Sequence, residues 1–149
     1  MDLLGTPAPD FTLEASTGAK ISLNDLQGSY VVLIFYPAND TPVCNRQLEE
    51  MSLSASQLLQ YNARIFGVNT ANAGKAKEYC TRKKLDFPIL SDPGGATAKK
   101  YQSFWSWLGT NKRTVVSINP NGKICFYQRG TPTPEQIIEA IQSDQHSAN

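Results

Sequence analysis

The sequence is poor in the residues that most metal and proton-transfer sites need. Its only histidine is His146, close to the C-terminal end, and its cysteines are three, Cys44, Cys80 and Cys125. No Cys/His zinc set of sensible spacing can be assembled from them. The same shortage argues against a Cys–His protease, which needs a positioned base beside its thiol. A charge of one sign is also missing, since 14 basic residues stand against 13 acidic ones for a net charge of +1. The densest basic run, Arg82-Lys83-Lys84, suits a solvated helix end, and no nucleic-acid partner is expected. The longest unbroken apolar run falls far below the ~20 residues that span a bilayer, so no membrane is expected either. Met1 to Gly5 lacks the basic region and apolar core of a signal peptide. A cytoplasmic, reducing compartment is therefore the expectation, and cysteines there are catalytic or metal-bound more often than structural bridges.

What the sequence does contain is an ordinary globular composition. Its 149 residues are 40% hydrophobic and 18% charged, which suits one domain over 1–149 with a sizeable core. Phe11-Thr12-Leu13 and Ile21-Ser22-Leu23 alternate around Thr17-Gly18 and predict a small hairpin, followed by one helical turn closed by Gly28. Val31 to Phe35 is apolar at every position, as in a strand buried on both faces. A helix is predicted from about Pro42 to about Gln60, with Cys44, Leu48, Met51, Ala55 and Leu58 as its buried stripe. A second strand, Ile65 to Val68, precedes a helix from about Ala73 to Lys84, where Ala73, Ala76 and Cys80 share a face.

Phe87 to Leu90 reads as extended, and Ala96 to about Phe104 as helical. The aromatic cluster Phe104, Trp105, Trp107 and Leu108 is expected in the core, with a pocket wall or a partner contact as the other option. Arg113–Ile118 and Lys123–Tyr127 flank Asn119-Pro120-Asn121-Gly122 as a hairpin. A last helix starts with Pro134 in its first turn and buries Ile137, Ile138 and Ile141. Ser143 to Asn149 is expected to be a disordered tail. Strand–helix–strand, helix, hairpin and helix is the order of an α/β thioredoxin-like fold, here with an N-terminal hairpin and an extra central helix beside a mixed sheet.

The chemistry gathers in one stretch. The apolar run Tyr30–Tyr36 stops at Pro37, a polar loop ends in Thr41-Pro42, and Cys44 falls in the first turn of the helix that follows. Free backbone N–H groups and the positive end of a helix dipole favour a thiolate at such a place, and the thiolate is the nucleophile.

Pro37-x-x-x-Thr41-x-x-Cys44 resembles the active-site signature of peroxiredoxins. Gly5-x-x-Ala8-Pro9-Asp10-Phe11-x-Leu13 is similar to their opening, and so is Arg113 at the start of a strand leading to the Asn-Pro-Asn-Gly turn. The three matches run in the family's order over about residues 5 to 125. Phe35-Tyr36-Pro37 and Gln47 bring the chain nearest the Q-type, or bacterioferritin-comigratory-protein-like, subgroup. Two positions depart from it. Val43 stands where the subgroup often has glycine, and Glu49 stands where many members carry a resolving cysteine. Other members place that cysteine on the next long helix, the position held here by Cys80.

The resemblance implies reduction of hydrogen peroxide or alkyl hydroperoxides without a cofactor. Cys44 would be oxidised to a sulfenic acid, Cys80 would condense with it to a disulfide, and thioredoxin or a similar dithiol would restore both thiols. Arg113 would sit beside the sulfur and donate to the peroxide, and Thr41 would bond the peroxide oxygens. Pro37 would wall the pocket and exclude water. The backbone N–H groups of Val43 and Cys44 would stabilise the transition state, and Gln47 would hold the arginine. Members of the subgroup are often monomeric, so a monomer is expected.

Structural readings stand beside these. Cys44 and Cys80 could be packed core residues, Thr41 a helix cap and Arg113 a surface strand residue. Cys125, alternating with Ile124 and Phe126, is expected to be structural. A one-cysteine peroxidase resolved by an external thiol, or a redox sensor or chaperone on the same fold, are the rival functions.

Overall fold

The computed structural model of the protein describes residues 3–147. Its centre is β3 (Tyr30–Phe35), in which every residue is buried. Alternate side chains serve two cores, as the period of a strand requires. Tyr30, Val32 and Ile34 face one hydrophobic cluster and Val31, Leu33 and Phe35 face the other. Against β3 lies the parallel strand β4 (Ala63–Asn69), and against β4 the parallel strand β5 (Ile89–Ser91). β1 (Thr12–Ala15) and β2 (Lys20–Ser22) form the expected N-terminal hairpin and extend this edge antiparallel to β5. The other edge is the antiparallel hairpin of β8 (Thr114–Ile118) and β9 (Ile124–Arg129). Asn119 closes its turn by accepting from the Asn121 and Lys123 amides through Oδ1. The sheet order is β2-β1-β5-β4-β3-β8-β9, and a separate two-stranded ribbon joins β6 (Phe104–Trp105) to β7 (Thr110–Asn111).

On one face of the sheet lie α1 (Pro42–Leu53), α2 (Ala55–Gln60), α3 (Ala73–Lys83) and α5 (Pro134–Ser147), which supply Leu48, Met51, Leu58, Ala76, Tyr79 and Ile137 to one core. The extra central helix, α4 (Ala96–Lys100), packs Ala98 into the opposite core. Sheet and helices together form the mixed, helix-flanked thioredoxin-like arrangement that the element order implied.

Four expectations are corrected. The helix predicted over 42–60 breaks at Ser54, whose φ of −99° and ψ of 2° leave the helical basin. Ser52, Ser54 and Ser56 crowd that point, and serine offers the backbone competing partners. The Ser52 hydroxyl is used instead to accept the Asp86 amide at 2.7 Å. The helix predicted over 96–104 stops at Lys100, and Gln102 adopts a positive φ of 54° so that the chain can turn into β6. The aromatic cluster is not core: Trp105, Trp107 and Leu108 are 41%, 78% and 54% exposed, and only Phe104 is half-buried, over the Cβ-less Gly95. The predicted tail is helical to Ser147, and its last two residues lie outside the described ones. Polar contacts hold it, which apolar periodicity cannot reveal. Tyr30 donates to Asp144 at 2.6 Å, Asn119 donates to the same carboxylate, and Gln142 donates to the Tyr61 hydroxyl.

Candidate active site

The site forms at the C-terminal ends of the parallel strands, where open α/β sheets place their ligands. β3 delivers the chain to Pro37. β8 runs antiparallel to β3 and pairs Thr114 with Phe35, so Arg113 enters at the same end. The β6–β7 ribbon meets the loop there too, through a 3.0 Å bond from the Thr110 hydroxyl to the Pro37 carbonyl. Register alone therefore brings residues 37–44 and 113 together, although 69 positions separate Cys44 from Arg113.

Thr41 is the residue before α1, with φ of −110° and ψ of 150°, yet its side chain makes no capping bond. Thr41 is thus the N-cap by its backbone alone, its carbonyl accepting the Asn45 amide at 2.8 Å while its hydroxyl stays unused, and the helix starts on Pro42, whose missing N–H suits a first turn. Val43 and Cys44 follow within that turn, where amides lack an intrahelical acceptor. Val43 is 53% exposed, whereas Cys44 is fully buried against Leu48 and Met51. Arg113 is half-buried, and its Nη1 donates at 3.2 Å to Oε1 of the buried Gln47, one turn beyond Cys44. Gln47 thus holds the arginine, and its Nε2 has no partner.

A second group was not foreseen from the sequence. The loop Pro37–Thr41 is pinned from inside by Asn39, whose Oδ1 accepts from the Tyr36 hydroxyl at 2.6 Å and from Asn69 Nδ2 at 2.8 Å. It is pinned from outside by Asp40, in the left-handed region at φ 63°. Asp40 accepts from Asn45 Nδ2 at 3.3 Å and from Arg82 Nη1 at 3.0 Å, and these bonds hold its carboxyl below the usual range. The Tyr79 hydroxyl donates to Asn45 Oδ1, and burial pushes that phenol up to about 12. The nearest sequence signal was the Asn39-Asp40 pair, since both residue types tolerate left-handed backbone.

Cys80 lies elsewhere. Its thiol donates to Ser16 Oγ at 3.4 Å and points into an open groove lined by Thr17, Lys77, Lys84 and Pro88. Burial raises its pKa. Between the two cysteines stands Tyr36, kept protonated first by burial and then by its neighbours Tyr79, Cys80 and Cys44. All three thiols are free. Cys125 is half-buried on β9, and burial with Asp144 nearby pushes it up to about 12. Among the described residues, no three His, Cys, Asp or Glu side chains are placed to hold a metal ion, and no helix is long and apolar enough to cross a membrane.

Comparison with known proteins fits this geometry. Residues 4–127 match the AhpC/TSA family. The chain is 32% identical over 136 residues to the chloroplastic peroxiredoxin Q of rice, Oryza sativa subsp. japonica, with 90% of this chain covered and 62% of the rice protein. It is thus shorter than the plant relatives it matches. It is 32% identical over 147 residues to the Helicobacter pylori protein bcp, named as a peroxiredoxin, covering 93% of this chain and 97% of that one. Among solved structures, Enterococcus faecalis AhpC superimposes with a TM-score of 0.92 at 23% identity, over 99% of this chain and 95% of that one. Mycobacterium tuberculosis BcpB superimposes with a TM-score of 0.88 at 24% identity, over 96% and 98%. The chain belongs to the AhpC/TSA family, among relatives named peroxiredoxin Q and bcp.

Proposed function

We propose that the protein is a thiol peroxidase that reduces hydrogen peroxide and alkyl hydroperoxides through Cys44. The observation that carries this reading is the meeting, at one sheet end, of a buried first-turn cysteine, an uncommitted Thr41 hydroxyl and an arginine held by Gln47. The Cys44 thiolate attacks one peroxide oxygen, the O–O bond breaks, and the departing alkoxide or hydroxide takes a proton. Cys44 is left as a sulfenic acid. Arg113 supplies a positive charge beside the sulfur and donors for the peroxide. The Thr41 hydroxyl bonds the two oxygens, Pro37 excludes water, and the free amides of Val43 and Cys44 meet the developing negative charge.

Cys80 then displaces water from the sulfenic acid to give a Cys44–Cys80 disulfide. A dithiol reductant such as thioredoxin exchanges with that bond and releases both thiols. The enzyme works as a monomer in the cytoplasm on this reading. Peptide mapping after one equivalent of hydrogen peroxide tests it, with a Cys44–Cys80 cross-link, two hydrogens lighter than the dithiol form, as the expected product. No peroxide-dependent change at Cys44 would refute the peroxidase assignment itself.

A second reading is favoured by one observation, the engagement of the Cys80 thiol with the Ser16 hydroxyl, beyond the end of β1. In that case an external thiol resolves Cys44. Cys80→Ser separates the two: lost thioredoxin-supported turnover with the first oxidation intact selects the two-cysteine cycle, and unchanged turnover selects the external thiol.

A further inference from the structure

α3 carries Cys80, and its neighbouring residues grip the helix that carries Cys44. Tyr79, 1% exposed, donates its hydroxyl to Asn45, the residue after Cys44. One turn on, Arg82 Nη1 pairs with Asp40 Oδ2 at 3.0 Å, and its guanidinium lies 5.7 Å from the centre of the Tyr79 ring. Asn45 Nδ2 closes the circuit onto the other oxygen of Asp40. The loop before Cys44 and the first turn after it are therefore tied by one ring of bonds to a single helix. Lys83 adds a longer pair to Glu49 at 3.8 Å.

This ring faces a mechanical conflict. Peroxide attack needs the first turn of α1 wound, since only then do the Val43 and Cys44 amides and the loop with Thr41 converge. A disulfide needs Cα atoms within roughly 7 Å. Cys80 packs on Ser16 while its neighbour Tyr79 faces α1, so bringing the sulfurs together rotates α3 or unwinds the first turn of α1. Either movement breaks the Tyr79–Asn45 bond, and movement of the loop breaks Arg82–Asp40 as well.

We infer that Tyr79 and Arg82 are positioning residues that clamp the Cys44 turn in its peroxide-reactive form and delay resolution until the ring opens. The clamp speeds the first oxidation and slows the second step. A Cys44 sulfenic acid held in the clamp meets a second peroxide more often, so the same contacts favour over-oxidation to the sulfinic acid. The inference rests on the peroxidase reading, and its second half also on Cys80 as the resolving thiol.

The test uses rapid mixing with peroxide and mass readout of the Cys44 states. Tyr79→Phe keeps the ring and its packing and removes one hydroxyl, and Arg82→Ala changes an exposed residue, so both variants should fold. In a Cys80→Ser background, where only the first oxidation is visible, Tyr79→Phe should slow that step about fivefold, the factor expected for one such hydrogen bond. With Cys80 present, it should speed disulfide formation and raise the peroxide concentration for half-sulfinylation by a similar factor. Arg82→Ala should act in the same directions more weakly, and Arg82→Lys should restore the native values. Opposite movement of the two steps is the signature, because a merely structural role would slow both. Unchanged rates in both variants, or a parallel fall of both steps, would overturn the clamp. If no Cys44–Cys80 bond forms in the native chain, the resolving assignment fails; slowed oxidation in the Cys80→Ser background then still supports the clamp on Cys44.

Discussion

Cys44 and Cys80 sit on consecutive helices against the same sheet, and their surroundings are opposite in almost every respect. Cys44 is fully buried in the first turn of α1, beneath a loop fixed at both ends. Cys80 is half-buried on the last turns of α3, beside an open groove, with the Ser16 hydroxyl and the Phe87 carbonyl as its partners. Arg113 is tied to the Cys44 turn through Gln47, whereas the lysines lining the Cys80 groove, Lys77 and Lys84, flank it without contact. Burial pushes the Cys80 thiol away from its reactive form. On the proposed cycle the difference amounts to a division of labour, in which the enclosed Cys44 site meets a small oxidant and the open Cys80 site acts second.

The comparison can be broken most directly at Arg113. Arg113→Ala removes the fixed charge and the peroxide donors, and the first oxidation should fall about 100-fold or more, in line with losing one oxyanion-type donor or better. The rate of disulfide formation from pre-formed sulfenic acid should move much less, because the Arg113 side chain bonds Gln47 on α1 and Cys80 lies on α3. Stopped-flow measurement of the two phases checks both halves. Equal losses in the two phases would mean that the sites are not independent.

Thr41→Val should act on the same phase, by about 10-fold to 100-fold, while leaving helix stability almost unchanged. A capping threonine would instead cost about 1 kcal/mol when replaced. The absent cap bond at Thr41 makes the distinction measurable by urea unfolding.

How much of this was legible beforehand follows from what each feature depends on. The β3 strand, the stripe from Cys44 to Leu58 and both hairpins rest on local periodicity, and they stand where the pattern put them. Pro37, Thr41 and Arg113 were named from the resemblance to peroxiredoxins, Cys44 also from its place in a first helical turn, and strand register explains why they come to one end of the sheet. The break at Ser54 and the helical Ser143–Ser147 were not legible, because side-chain partners far along the chain decide them. The exposed Trp105 and Trp107 defeat a composition argument, since an aromatic cluster looks alike in a core and on a ribbon. The ring Asp40–Asn45–Tyr79–Arg82 joins four polar residues from two helices and a loop, and no period connects them.

The Cys80 step should also carry a pH dependence. A thiol whose pKa is raised by burial holds little thiolate at neutral pH, so resolution should accelerate as the pH rises, by about tenfold per unit while the thiol remains mostly protonated. Disulfide formation followed between pH 6 and 9 checks the sign. A flat profile would show that opening of the helices, and not ionisation of Cys80, limits the step.

The smallest effect separates Cys80 from its side-chain partner. Ser16 Oγ accepts both the Cys80 thiol and the Ile89 amide, the latter at 3.0 Å. Its bond to sulfur lowers the Cys80 pKa against the larger upward push of burial. Ser16→Ala should therefore leave Cys80 still harder to ionise and slow resolution about two- to threefold near neutral pH, while peroxide attack at Cys44 stays at its native rate. The fully buried Ile89 amide would lose its side-chain partner as well, so the fold should lose about 1–3 kcal/mol in urea unfolding. The loss of stability and the slowed step have different causes, and pH tells them apart. Above the Cys80 pKa the variant and the native chain should resolve at the same rate, because ionisation no longer limits either. A deficit that persists at high pH would assign Ser16 to holding β1 against β5, and would leave the tuning of Cys80 to the backbone of Phe87 and Ile89.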